Sequence, residues 1–166
     1  MLLEKNLLMI KITNNFIDND KFWEVHKIIF SENFPWFLTD NDKKLVHPLF
    51  KDKNDKKEKS MFFTKILSEL LLKTNAKEII YSDVILNFPY EEIQIIEEES
   101  NLDLNDHSIT GILCMNSCNG KIEIPNSGQY DMVENRFFCF PTNIGYLTST
   151  QTNEPFEIML KVVYNV

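Results

Sequence analysis

The sequence predicts an α+β fold, a double-stranded β-helix (jelly roll) with N-terminal helices packed on one sheet. Three observations carry that expectation. Apolar residues recur at helical spacing twice, in stretches 18–34 and 61–76. From residue 77 the period changes to seven short strands, "KEIIYSDVILNFPY", "EEIQIIEEES", "SITGILCMN", "GKIEIPN", "NRFFCFP", "IGYLTST" and "FEIMLKVVYNV". Turns at Asn, Gly, Pro and Ser separate them, with no helical segment between. Such closely spaced strands point to a sandwich or barrel and not to βαβ units.

Taken in order, "LLMIKITNNF" suits an opening strand, with Thr13-Asn14-Asn15 as its turn. Asp18 is placed to cap a helix, "DNDKFWEVHKIIFSENF", whose apolar face is Phe22, Val25, Ile28 and Ile29. Pro35 closes it. The next segment mixes short aromatic strands with a charged stretch, and the Lys51–Lys59 run reads as a solvated tip. "MFFTKILSELLLKTNA" then places Phe62, Ile66, Leu67, Leu70 and Leu71 on one stripe. The chain is therefore expected to be one domain over 1–166, mixed and helical over 1–76 and β-rich over 77–166.

A formal net charge of -8 argues against general binding to nucleic acid or to anionic lipid, whose phosphates are met mostly by Lys and Arg. No uncharged stretch is long enough to span a bilayer, and Met1 to Ile10 lacks a cleavable-signal pattern. The three cysteines make no disulfide framework; Cys114 and Cys139 sit in apolar runs as small core residues, and Cys118 lies in a turn. A cytoplasmic or virion protein is expected, neither secreted nor transmembrane.

The pieces "ITGILCMNSCNGKIEI", "VENRFFCFPTNIGYLTST" and "FEIMLKVVYNV", in that order, carry a resemblance. Together they are similar to the C-terminal core of the 2-oxoglutarate and Fe(II)-dependent oxygenases, in the short prolyl-hydroxylase-like form found in marine phages and bacteria. "NNFIDNDKFWEVHKIIFSENFPWFLTD" also resembles the opening helix and Trp-bearing segment of that form. The likeness covers most of the chain, loosely over 45–75 and more closely after 109.

The resemblance implies an iron held by two histidines and a carboxylate on one face, with the open positions for 2-oxoglutarate and oxygen. It also implies an arginine on the last strand, whose planar fork takes the far carboxylate of 2-oxoglutarate. In this sequence the His-x-Asp position falls on Asn101-Leu102-Asp103, the second-histidine position on Tyr146 and the arginine position near Glu157. The histidines are His26, His47 and His107, and the single arginine is Arg136, outside the last strand. Asn101, Asp103, Tyr146 and Glu157 are thus expected to line a vestigial pocket partly filled by Tyr146 and Phe side chains. No catalytic residue, metal or cofactor is expected there. The alternative is a rearranged site of Asp103, His107 and His47, with Lys161 holding the co-substrate. It would make the chain a divergent but active dioxygenase using Fe(II) and 2-oxoglutarate.

Other signals are weaker. The Glu91–Glu99 acids lack the loop spacing of a Ca²⁺ site. The glycines, 4 in all, leave no phosphate loop, and no Ser–His–acid set is legible. Trp23, Trp36, Phe34, Phe37 and Phe50 concentrate aromatic surface near the N-terminus, as core or as a patch facing a ligand or partner. The function expected from all this is a non-catalytic oxygenase-like jelly roll acting in binding or assembly, through a protein partner or self-association. A phage-encoded, virion-associated scaffold is the specific form expected. A jelly roll that binds small molecules or carbohydrates is a third reading.

Overall fold

A computed structural model describes residues 10–41, 43–53, 56–98 and 108–166. Two sheets face each other. The larger has the order β1-β10-β7-β12-β5-β3-β2, with β4 paired to β3. Its strands are β1 (Lys11–Thr13), β2 (Phe37–Leu38), β3 (Lys44–Lys53), β4 (Lys56–Lys59), β5 (Glu78–Asn87), β7 (Ile109–Cys114), β10 (Phe137–Pro141) and β12 (Glu157–Asn165). The smaller runs β6-β11-β8-β9, made of β6 (Ile95–Glu98), β11 (Tyr146–Ser149), β8 (Lys121–Ile124) and β9 (Gly128–Asp131). Every described pairing is antiparallel, as a jelly roll requires.

Helices α1 (Asn19–Ile29) and α2 (Phe63–Thr74) cover the outer face of the larger sheet. Phe22, Val25 and Ile29 of α1 join Ile66, Leu67 and Leu70 of α2 against Val84, Leu86, Leu113, Leu160, Val162 and Tyr164. Full burial of such a side chain contributes about 1.5–3 kcal/mol, so this layer fixes the helices to the sheet. The inner layer between the sheets is separate: Ile85, Ile112, Cys114, Ile122, Ile124, Met132, Phe138, Phe140, Tyr146 and Met159. Strand alternation assigns each residue to a layer. On β12, Ile158, Leu160 and Val162 face the helices, while Met159 faces inward, as do its period-2 neighbours Glu157 and Lys161.

Four local expectations are corrected. The charged run 51–59 is no simple tip: Phe50, Lys51, Asp52 and Lys53 pair in register with Lys59, Glu58, Lys57 and Lys56. The pairing rests on backbone hydrogen bonds, and the side chains of β4 are all exposed. Asp18 makes no side-chain capping bond; its carboxylate takes the Lys73 ammonium at 2.8 Å, tying the start of α1 to the end of α2. Helix α1 ends at Ile29, well short of Pro35. An eighth strand of the β-rich half, β9, pairs with β8 from Lys121↔Asp131 to Ile124↔Gly128. No helix among the described residues is long and apolar enough to cross a membrane.

Candidate functional site

The inward face of the larger sheet is apolar in the middle and charged at both ends. At one end Glu157 opens β12 with only 2% of its surface exposed. Asn87, its register partner on β5, donates Nδ2 to Oε1 at 3.0 Å. The Cys118 thiol faces Oε2 at 3.4 Å. Burial, and then the charge of Glu157, push that thiol up to about 12, so it stays protonated as a donor. Gly120 lies against the same oxygen: a Cβ there would stand 2.7 Å from Oε2.

Above Glu157 the space is filled by Met159, Ile85, Ile112 and Phe138, each 5% exposed or less. At the other end Tyr146 enters the layer from the start of β11. Gly145 makes this possible by adopting φ 64 and ψ -175, a backbone conformation suited to glycine. The Tyr146 ring packs edge-on to Phe140 at 5.4 Å, and the Lys161 ammonium lies over it at 5.1 Å. Thr110 and Thr142 close this end with a buried hydroxyl–hydroxyl bond of 2.9 Å.

Asp83 stands beside Lys161 in the β5–β12 register and is 4% exposed. The Tyr81 hydroxyl donates to its Oδ2, while Oδ1 is the one buried side-chain oxygen or nitrogen without a hydrogen-bond partner among the described residues. Burial pushes this carboxyl up to about 6, against the opposing pull of Lys51, Lys161 and Lys44.

Of the expected pocket residues, Tyr146 and Glu157 both lie in the inner layer, at opposite ends of its apolar fill. Asn101, Asp103 and His107 lie outside the described residues. His47 points the other way. Its ring sits on the helix side of β3, 4.6 Å from Phe34, with Nδ1 2.7 Å from the Pro35 carbonyl and Nε2 2.7 Å from Ser60 Oγ. The thickness of the sheet separates it from Tyr146. Sequence reasoning missed Asp83, Tyr81, Asn87 and Gly120. Asp83 had a signal, as a lone acid inside the apolar run "SDVILNF".

This arrangement of two facing sheets, with helices behind the larger, recurs in solved enzymes. A 2OG-Fe(II) oxygenase family oxidoreductase from Burkholderia pseudomallei superposes with TM-score 0.65 at 6% identity, over 94% of this chain and 84% of that one. A prolyl hydroxylase from Trichoplax adhaerens, solved with a hypoxia inducible factor peptide fragment, gives 0.65 at 11% identity over 96% and 84%. The chain has the 2OG-Fe(II) oxygenase fold. The alpha ketoglutarate dependent carbocyclase SnoK of nogalamycin biosynthesis gives 0.62 at 9% identity over 98% and 84%. No protein-family model matches the sequence, and no curated protein matches it.

Of the positions the resemblance assigns to iron and 2-oxoglutarate, the two that are described hold Tyr146 and Glu157, neither an imidazole nor a guanidinium. Tyr146 offers a neutral phenol where an imidazole would stand, with the Lys161 ammonium over its ring and Asp83 beside Lys161 in register. Glu157 offers a buried carboxylate to a co-substrate that needs a cationic partner there. Among the described residues no three His, Cys, Asp or Glu side chains group as metal ligands.

Proposed function

We propose that this protein is a non-catalytic relative of the 2OG-Fe(II) oxygenases, acting through its surface in binding or assembly. One observation carries the reading: among the described residues, buried side chains pack the inner layer, and its expected co-substrate end holds a carboxylate and not a cation. Lys161 lies over Tyr146 at the expected metal end, and Glu157 lies at the expected co-substrate end. Replacing first-coordination groups costs far more than the 10- to 100-fold loss typical of altering their supporting partners. A protein partner or a second copy of the chain is the binding target of this reading, and a virion-associated scaffold is its specific form.

Anaerobic titration with Co(II) in the presence of 2-oxoglutarate tests it. The expected result is no d–d band at micromolar metal. A saturable band there would make the chain an active-site-bearing oxygenase. Light scattering across a concentration series tests the assembly half, where a strict monomer at high concentration removes self-association.

A further inference from the structure

A groove of about 490 Å³ opens beside β2 and β4, on the far side of the larger sheet from Tyr146 and Glu157. Phe37, Pro48, Met61 and Phe62 form its apolar walls, and Lys51 and Lys59 its rim. Phe37 and Met61 are 53% and 85% exposed, so the groove is open to solvent. His47 and Ser60 meet inside it, although thirteen residues separate them along the chain.

Their hydrogen bonding fixes one proton and, for the neutral ring, suggests the other. The Pro35 carbonyl can only accept, so at 2.7 Å it requires the proton on His47 Nδ1. In the neutral imidazole Nε2 is then bare, and it accepts from the Ser60 hydroxyl at 2.7 Å. Ser60 Oγ also accepts from the Phe62 N–H at 3.1 Å, and with the neutral ring its own proton is directed at the imidazole. The ring cannot swing away, being 4% exposed and packed against Phe34 and Phe62 at 4.6 and 5.6 Å. Ser60 itself is only half-buried and lines the groove.

We propose that Ser60 is a nucleophile for acyl transfer, with His47 as its general base and the Pro35 carbonyl orienting the imidazole. A hydroxyl, a base in hydrogen-bond reach and a third group that holds the base are the parts nucleophilic catalysis needs. The backbone carbonyl takes the orienting place a carboxylate fills elsewhere. Ser60 Oγ attacks the carbonyl carbon of an ester while its proton passes to Nε2. The bond to the leaving alcohol then breaks, and the alcohol departs with that proton. Water attacks the acyl-serine, giving its proton to Nε2, and the carboxylic acid leaves as Ser60 recovers its hydrogen. The negative charge of the tetrahedral intermediate falls on the former carbonyl oxygen, while the Phe62 N–H holds Ser60 Oγ in place just before α2, a helix of 12 residues. The apolar walls select a short, uncharged acyl group. This site is separate from the inner layer: acyl transfer here would make the chain an enzyme of another kind while leaving the argument against an oxygenase centre unchanged, so the two tests fail independently.

The test is covalent labelling of the full chain with a fluorophosphonate, followed by intact mass and peptide mapping. The expected result is one adduct, on Ser60, absent in S60A and formed about 100-fold more slowly in H47Q. p-Nitrophenyl acetate should then give a burst of nitrophenol equal to the Ser60 adduct. An unchanged labelling rate in H47Q, adducts spread over other serines, or none on folded protein would overturn the proposal. A serine serving only to cap α2 gives that last result, with a lower melting temperature for S60A and no adduct. If H47Q does not fold, the wild-type adduct decides by its position: Ser60 supports the assignment, and any other residue overturns it.

Discussion

Glu157 and Asn87 are register partners on adjacent strands, and their side chains meet at 3.0 Å inside the sandwich. The carboxylate also presses on Gly120, where a Cβ would lie 2.7 Å from Oε2 and 3.2 Å from the Ser149 carbonyl. G120A should therefore destabilise by about 1–3 kcal/mol. E157A should lose about 2–4 kcal/mol, since it strands the Asn87 amide and leaves a void. In the double variant the added methyl enters the vacated space. Its loss should fall short of the sum by at least about 0.5 kcal/mol, measured by urea denaturation. Additive losses would mean that Gly120 and Glu157 do not touch.

Asp83 makes stability depend on pH in an unusual direction. Its carboxyl rises from 3.8 to about 6, chiefly through burial. A carboxyl raised in the folded state favours folding fully below its ordinary range, and loses that contribution as pH climbs through about 6. At pH 8 the ionised group opposes folding. D83N keeps an acceptor for the Tyr81 hydroxyl and removes the charge. Its expected gain is about 1–3 kcal/mol at pH 8, shrinking toward nothing near pH 4. Urea midpoints at the two pH values check this, and equal gains at both would contradict it.

The two helices were legible from apolar residues at helical spacing, and seven strands of the β-rich half from short apolar runs between turn residues; β7 and β12 are buried on both faces, as continuous apolar runs require. What escaped has little apolar signal. Strand β9 turns one apolar ring inward, Tyr130, and leaves Gln129 and Asp131 outside. Strand β4 is four exposed charged residues held by backbone bonds. The position of Glu157 was read from the resemblance of "FEIMLKVVYNV" to the family's last strand, since β12 is buried on both faces and its burial alone does not mark the inward residues. The meeting of His47 with Ser60 was not legible. It depends on β4 returning alongside β3 so that Ser60 comes back to the level of His47, and no spacing in the sequence announces it.

Asn135 supplies the sharpest separation of backbone from side-chain effects. It holds φ 57 in the turn before β10 and is 3% exposed. Its Oδ1 accepts from the Ile17 N–H at 3.0 Å, and its Nδ2 donates to the Ile17 carbonyl at 2.7 Å. One side chain thus imitates a strand neighbour and ties the segment before α1 to the sheet. N135G keeps the left-handed conformation but deletes both bonds, stranding two buried backbone groups, and should lose about 2–3 kcal/mol. N135A loses the same bonds and adds about 1 kcal/mol of backbone strain. N135D keeps the acceptor alone and leaves its second oxygen facing the Ile17 carbonyl. It should fall well below wild type at neutral pH and recover in part below the carboxylate range, where a protonated oxygen donates. Thermal melts of the three variants at pH 7 and pH 4 settle the order. A glycine variant as stable as wild type would show that the turn needs only its φ.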